Sequence, residues 1–189
     1  MGETELDVII PVYRPDERFF RLLAQLACQS IPPHRIILMN TERAYWDAAG
    51  AEGKLETIGI SERCEIHHLS KAEFDHGGTR NAGVLFSETP YFVMMTQDAV
   101  PRDDKLLERL LFPLVNGKAE MSYGRQVASP DADLLEKFTR RYNYGDQSFL
   151  KTEADKEKLG IKTYFASNVC AAYNRARFDA LGGFPSRAI

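Results

Sequence analysis

LDVIIPVYRPDERFFRLLAQLA, residues 6–27, contains the clearest strand and helix patterns of the chain. Residues 6–12 form an almost uninterrupted apolar run rich in β-branched side chains, as in strands that are covered on both faces. Residues 13–16 interrupt this run, and the apolar residues from Phe19 to Ala27 then repeat at helical spacing. The stretch therefore predicts a buried strand, a polar loop and an amphipathic helix.

The alternation of strand and helix continues along the chain. We predict three further strands from their apolar runs and three further helices from their apolar spacing and flanking turn residues. The strands are expected at 35–39, 64–69 and 91–96, and the helices at 46–53, at 77–86 and from Asp103 to Pro113, which ends the last of them. This alternation predicts an α/β fold with a mainly parallel sheet flanked by helices.

Composition excludes several classes of protein. The 189 residues suit one domain with a sizeable core, and no linker or repeat divides them. A formal net charge of −3, with both signs interspersed, gives no basis for nucleic-acid binding. The three cysteines contain no Cys-x-x-Cys pair, which favours reduced thiols. We expect neither a signal peptide, because the start is acidic, nor a membrane span, because the apolar runs are short.

The character of the chain changes after Ser129. Ser129-Pro130 predicts the start of a helix. Its apolar stripe would consist of Leu134, Leu135, Phe138 and Tyr142. Residues 151–162 are highly charged with both signs mixed, which fits either an exposed helix or a mobile segment.

Residues just past each predicted strand are the candidates for a binding site, because parallel α/β sheets bind ligands at the carboxyl ends of their strands. These positions are 13–16, 40–42, 71–80 and 97–98. A purely structural turn would favour small residues there. The side chains present offer hydrogen bonds instead, which favours a ligand site at this edge.

FDHGGTRN, residues 74–81, is the strongest local feature. Paired glycines before a helix allow close backbone approach, and the free amides of a first turn attract an anion. Arg80 would add a fork of donors for a phosphate or carboxylate. The alternative is structural: Gly77 and Gly78 only open the helix, and Arg80 pairs with Asp75.

Asp98, directly after the strand at 91–96, is the candidate metal ligand. A carboxylate at this position reaches a divalent ion that bridges two phosphates, because Mg²⁺ and Mn²⁺ prefer oxygen ligands. The alternative is a turn or capping aspartate. Asp103 and Asp104 are assigned to the first turn of the next helix, where carboxylates suit the positive helix end. Neither a nucleophile elbow nor a P-loop motif is present.

Taken in order, these segments resemble the family 2 glycosyltransferases with the GT-A fold. DVIIPVY is similar to that family's first strand and nucleotide loop, and GGTRNAG followed by PYFV to its helix and metal-site strand. Residues 167–168, 173–175 and 181–184 resemble its acceptor-side segment. EFDHGGTRN together with TQDAVP is similar to the bacterial rhamnosyltransferase branch, which transfers rhamnose from a dTDP-sugar during O-antigen or other cell-surface polysaccharide synthesis.

The resemblance implies an inverting transferase with a nucleotide-sugar donor, a divalent Mg or Mn ion, and a saccharide or lipid-linked saccharide acceptor. It also implies a cytoplasmic enzyme at the inner face of the plasma membrane, compatible with peripheral association. The implied site residues are Pro11, Tyr13 and Asn40 for the base and ribose; Asp75 and Arg80 for the nucleotide and diphosphate; Arg14, His76 and Gly77 elsewhere in the nucleotide-sugar site; Asp98 for the metal; and Asn168 for the acceptor side.

Two departures from the family pattern matter. The family's metal motif is Asp-x-Asp, whereas Thr96-Gln97-Asp98 keeps one carboxylate. The family also places an acidic pair, which includes the general base, shortly after the Gly-Gly-Phe turn, and this chain stops at Ile189. We therefore expect a C-terminally truncated domain, with a nucleotide-sugar-binding half at 1–115, a partial acceptor-side half at 116–189, and the base beyond Ile189.

Two other functions compete with this interpretation. A nucleotidyltransferase would carry a glycine-rich, Lys- or Arg-bearing signature after the first strand, and PVYRP at 11–15 does not supply one. A non-catalytic module that binds sugar nucleotides remains open.

Overall fold

The computed structural model describes residues 5–129 and 132–186. Within these ranges lie six strands, β1 to β6 in chain order: Leu6–Tyr13, Arg35–Thr41, Cys64–Leu69, Tyr91–Met95, Met121–Tyr123 and Cys170–Asn174. The helices, α1 to α8 in chain order, are Glu17–Ala27, Arg43–Ala48, Ala51–Ile58, His76–Phe86, Leu106–Val115, Leu134–Asn143, Lys156–Leu159 and Arg175–Ala180.

All six strands belong to one sheet, in the order β3-β2-β1-β4-β6-β5. Strands β1 to β4 are parallel to one another, whereas β6 runs antiparallel to both β4 and β5. The predicted α/β fold with a mainly parallel sheet flanked by helices is confirmed.

The central position of β1 explains its apolar sequence. It pairs with β2 on one side and β4 on the other, so its side chains point only into the two packed faces. Asp16 caps α1 by accepting hydrogen bonds from the backbone N–H groups of Arg18 and Phe19. The stripe of α1 is fully buried, and each such side chain contributes about 1.5–3 kcal/mol to folding.

Helices cover both faces of the sheet. The larger core layer packs α1, α3 and α5 against one face, with Trp46 among its largest side chains. The smaller layer packs α4 and α8 against the other face, around Val84 and Phe178. Helices α1 to α5 each bury at least one residue in these layers, whereas α6, α7 and α8 have no fully buried residue.

Three local predictions in the first part of the chain are wrong. The helix expected at 46–53 is the pair α2 and α3, because Gly50 adopts a left-handed conformation with φ of 59° and separates them. Asp103 and Asp104 precede α5 rather than forming its first turn, since its N-cap is Lys105. Pro113 lies inside the last turn of α5 and does not end it, and its carbonyl accepts from the N–H groups of Lys118 and Ala119.

The region after β5 is built from short elements. Helix α6 begins at Leu134 with Asp133 as its cap, instead of at Ser129-Pro130; Pro130 lies outside the described residues. Residues 151–162 form short helical turns with mostly exposed side chains, so the exposed-helix alternative holds in part. None of the helices in ranges 5–129 and 132–186 combines the length and apolar character that crossing a membrane requires.

Candidate functional site

Gln97 joins the ends of β1 and β4. The side-chain amide of Gln97 accepts a hydrogen bond from the Tyr13 N–H at 2.7 Å and donates one to the Tyr13 carbonyl at 3.0 Å. The backbone pairing of β1 with β4 ends at Ile9 and Met94, so Gln97 continues it by a side chain. The nucleotide loop predicted at Tyr13 and the candidate metal ligand Asp98 therefore lie at the same edge of the sheet.

Arg14 is held against two tyrosine rings at this edge. Its guanidinium donates to the hydroxyl of Tyr45 at 2.8 Å and lies 4.6 Å from the centre of that ring and 5.1 Å from that of Tyr13. This hydrogen bond raises the pKa of Arg14 and lowers that of Tyr45. Arg14 has a positive φ of 52°, which turns the chain out of β1. The result is an exposed, oriented cation suited to a phosphate.

Asn40 is not brought to the surface. Its side chain is fully buried, and its amide lies 2.9 Å from the Nδ1 atom of His68. Direct contact with a base or ribose needs an exposed atom, so Asn40 supports the site from beneath.

Pro11 is half-buried in β1 opposite Met39. Glu42, which has a φ of 67°, accepts from the N–H of Lys71 and thereby links the loops after β2 and β3.

The Gly78 amide in the first turn of α4, one of the amides that the sequence suggests for an anion, is already engaged by the chain itself. Asp75 is the N-cap: its carboxylate accepts from the N–H of Gly78 at 2.5 Å, and its carbonyl accepts from the N–H of Thr79 at 2.9 Å. The chain's own carboxylate thus occupies the position that an anion would take. The signal was present in the sequence, since an aspartate three residues before Gly78 is a capping pattern.

Gly77 serves an internal packing contact. A Cβ atom at Gly77 would lie 1.9 Å from the carbonyl oxygen of Pro185, so the close backbone approach is to the chain itself. Next to it, Asn81 donates to the carbonyl of Phe184 at 2.8 Å and accepts from the Phe184 N–H at 2.9 Å. Helix α4 is therefore tied to the Gly-Gly-Phe turn near the end of the chain.

Arg80 lies close to Tyr173 of strand β6. It donates to the carbonyl of His76 at 2.6 Å, and its Nε atom is buried without an acceptor among the described residues. Burial lowers the pKa of Arg80 and raises that of the nearby Tyr173 to about 12. The Tyr173 hydroxyl in turn donates to the side-chain oxygen of Asn168 at 3.0 Å. His76 itself is exposed, with its ring 5.0 Å from that of Phe74.

Asp98 offers an exposed carboxylate at the carboxyl end of β4. Across ranges 5–129 and 132–186 this carboxylate makes no hydrogen bond or ion pair, and those ranges hold no cluster of three metal-ligating side chains. The N–H of Thr96 donates to the carbonyl of Val169 at 3.0 Å, which places Asn168 beside the same loop. A cation here would take one protein carboxylate and need further oxygens from a ligand.

Two cavities open along this edge. The first, of about 190 Å³, lies between β2, β3 and the start of α4 and is lined by Met39, Leu69, Glu73, Gly78, Thr79 and Ala82. The second, of about 260 Å³, lies between the exit of β5 and α6 and is lined in part by Arg125, Lys137, Arg140 and Arg141. The sequence analysis missed the second, because a strand of three residues has no recognisable period.

The residues predicted for the nucleotide loop, the metal loop and the acceptor side thus meet at one edge of a mainly parallel sheet, which is the arrangement of GT-A glycosyltransferases. The family model "Glycosyl transferase family 2" matches residues 7–182, so the chain belongs to this family.

Two relatives of the chain are rhamnosyltransferases. The chain is 32% identical over 189 residues to the O-antigen chain rhamnosyltransferase RfbN of Salmonella typhimurium, covering 98% of this chain and 57% of that protein. It is 42% identical over 122 residues to the O-antigen chain rhamnosyltransferase WbaN of Salmonella anatum, covering 64% and 39%. The resemblance to rhamnosyltransferases is confirmed, and the chain spans about half the length of these relatives.

A solved structure shares the fold. The mannosyltransferase PcManGT from Pyrobaculum calidifontis, in complex with GDP-Man and Mn²⁺, aligns with a TM-score of 0.63 at 14% identity. The alignment covers 96% of this chain and 47% of that protein. At this identity the likeness establishes the GT-A fold.

Proposed function

We propose that this chain binds the donor in a rhamnosyltransferase that transfers rhamnose from a dTDP-sugar to a saccharide or lipid-linked saccharide acceptor. The Gln97 bridge carries the proposal, because it holds the nucleotide loop and Asp98 at one edge in a family 2 chain. Support for rhamnose comes from the two O-antigen rhamnosyltransferase relatives. The proposal places the enzyme in the cytoplasm, at the inner face of the plasma membrane.

The nucleotide would lie across the ends of β1 and β2. The cavity of about 190 Å³ beside Glu73 and Thr79 accepts the base, with Pro11 and Tyr13 bordering the ribose. Arg14 and Arg80 supply positive charge for the diphosphate from the two sides of the loop. Asp75 acts by fixing the start of α4, since its carboxylate is engaged with Gly78.

A divalent cation fits the donor set at Asp98. Mg²⁺ and Mn²⁺ are commonly held by one or two carboxylates together with substrate phosphates, and the unengaged carboxylate of Asp98 provides the first of these. The PcManGT complex, which contains GDP-Man and Mn²⁺, supports this assignment. When bound, the cation would stabilise negative charge on the departing diphosphate.

The chemistry assigned to the family is an inverting displacement. An acceptor hydroxyl attacks the anomeric carbon of the donor, a carboxylate takes its proton, and the bond to the diphosphate breaks. The residues of this chain bind and orient: Tyr13 and Arg14 hold the donor, and Asn168 with Tyr173 borders the acceptor side. None of them is assigned the role of general base.

Thermal unfolding with dTDP, UDP or GDP, each with and without Mn²⁺, tests the proposal. A ligand at a hundred times its Kd adds about 2.7 kcal/mol, which raises the Tm of a domain of this size by about 5–10 °C. We expect dTDP with Mn²⁺ to give the largest rise.

Asp98→Asn should remove the Mn²⁺-dependent part of the rise, whereas Asp104→Asn, an exposed carboxylate of the following loop, serves as the matched control. Absence of any rise with all three nucleotides would rule out donor binding by this chain. A rise without rhamnose transfer from dTDP-rhamnose would favour a binding module.

A further inference from the structure

We propose that the cavity beside α6 binds a phosphate carried by a lipid, while the apolar stripe of the same helix enters the membrane surface around it. The inference rests on the proposed function, since it names the part of a lipid-linked acceptor that this chain recognises. The second cavity and α6 lie outside the donor site formed by β1, β4 and α4.

The lining of the cavity is strongly cationic. It carries Arg125, Lys137, Arg140 and Arg141, against one lining carboxylate, that of Asp146. Asp146 pairs with Arg125 at 3.0 Å, and Glu136, outside the lining, lies 3.6 Å from Arg140. Arg141 makes no hydrogen bond or ion pair with any residue that the structure describes. Arginine forks and a lysine around one concavity match the oxygens of a phosphate or diphosphate.

The side of α6 next to the cavity-lining residues is exposed and apolar. Leu134, Leu135, Phe138 and Tyr142 are 85%, 73%, 68% and 63% exposed, and the rings of Phe138 and Tyr142 stack at 6.2 Å. Lys137 and Arg141 border this stripe, because residues three apart on a helix are neighbours. An apolar stripe flanked by basic side chains is the composition of helices that lie in the interface of an anionic membrane.

Gln126 connects the cavity to the acceptor side. Its amide donates to the hydroxyls of Tyr144 at 2.5 Å and Ser167 at 2.6 Å, and Arg140 donates to its side-chain oxygen. Ser167 directly precedes Asn168. Because β5 runs parallel to β4, with β6 between them, its carboxyl end opens at the same sheet edge as Asp98. A saccharide attached to a phosphate in this cavity would therefore extend towards the donor.

The cationic cavity and the apolar stripe lie on the same helix, and this combination favours a lipid-borne phosphate over a free sugar phosphate. A soluble anion would use the cationic cavity and leave the four-residue stripe in water, whereas a lipid-borne phosphate uses both features of α6. The charge of the cavity is complementary to the headgroup, and the stripe is complementary to the acyl or prenyl region.

Vesicle flotation of the 189-residue chain tests the inference. The vesicles are phosphatidylcholine alone, with added phosphatidylglycerol, or with added polyprenyl diphosphate; soluble inorganic diphosphate serves as competitor. We expect binding to be strongest with polyprenyl diphosphate. Arg141→Glu should weaken it by at least about fivefold, since each basic residue near an anionic surface contributes about 1 kcal/mol.

Phe138→Ser should weaken binding as well. The matched controls are Arg21→Glu, an exposed arginine on α1, and Phe112→Ser, a side chain on α5 that is 59% exposed, and both should bind like the unaltered chain. Equal binding of all variants, or equal binding to phosphatidylcholine alone, would overturn the inference. Complete displacement by inorganic diphosphate, together with an unaffected Phe138→Ser variant, would reassign the cavity to a soluble anion.

The dTDP thermal shift is measured on the same samples. A preserved shift without vesicle binding defeats only the inference about α6, whereas loss of the shift defeats the donor-site proposal. Light scattering measures whether the unaltered chain forms a dimer. If it does, and if Phe138→Ser dissociates that dimer, a second copy of the chain covers the stripe and the lipid inference is wrong.

Discussion

The two parts of the chain on either side of β5 differ in how far their apolar side chains are exposed to solvent. Before β5, the stripes of α1 and α5 and the residues of strands β1, β2 and β4 are mostly buried. Between Val127 and Phe165, most large apolar side chains that the structure describes are exposed. Parallel strands with crossover helices bury their own surface, whereas short helical turns beside a three-residue strand cannot. The first part thus buries its apolar side chains in the two core layers, and the second leaves exposed the apolar stripe that we propose a lipid surface contacts.

The largest expected effect tests this division directly. Phe19 on α1 is fully buried next to Trp46, so Phe19→Ala should lower the free energy of unfolding by about 3–5 kcal/mol. Phe138→Ala on α6 removes an exposed ring and should change it by no more than about 0.5 kcal/mol. Urea denaturation of both variants measures the difference. Similar losses for the two would show that α6 belongs to the folded core.

A smaller effect is expected where the two parts meet. Gly77→Ala places a Cβ against the Pro185 carbonyl, and the strain should cost about 1–3 kcal/mol. Gly53→Ala on α3 is the control: no atom lies within 4 Å of its Cβ, and it should stabilise the protein by about 0.5–1 kcal/mol. Thermal unfolding of both variants gives the comparison. A Gly77→Ala variant as stable as Gly53→Ala would mean that the C-terminal turn does not pack on α4.

The smallest expected effect is on the ionisation of two tyrosines, Tyr45 and Tyr173. It leaves the free energy of unfolding at neutral pH unchanged. The hydrogen bond from Arg14 lowers the pKa of Tyr45, because the cation favours the phenolate, whereas burial raises that of Tyr173 to about 12. Arg14→Ala should therefore shift one tyrosine titration upwards and leave the highest one in place. Absorbance of the phenolate during alkaline titration measures both, and Tyr45→Phe identifies the early step. Unchanged titration in Arg14→Ala would show that the Arg14–Tyr45 contact does not persist in solution.

The sequence predicted those features that depend on local pattern. Strands β1 to β4 and the stripe of α1 follow from apolar runs and helical spacing, and the rule about strand ends placed Tyr13 and Asp98 at one edge. The Gln97 bridge joins residues 84 positions apart, and the Arg14–Tyr45 contact joins a loop to a short helix, so neither has a local signal. The contact of Gly77 with the Pro185 carbonyl has no local signal either, because glycine permits close approach to a ligand or to the chain itself, and spacing does not distinguish them.

The Gln97 amide also has a consequence for affinity. Beyond Ile9 and Met94, β1 and β4 no longer pair through their backbones, and the Gln97 side chain supplies the hydrogen bonds between them. The loops that carry Tyr13 and Asp98 are therefore already fixed relative to each other before a donor arrives. A ligand that spans them loses less conformational entropy than one that must order two independent loops. The preorganisation of this edge thus supports the proposed binding of a donor with Asp98 as the single carboxylate of residues 96–98.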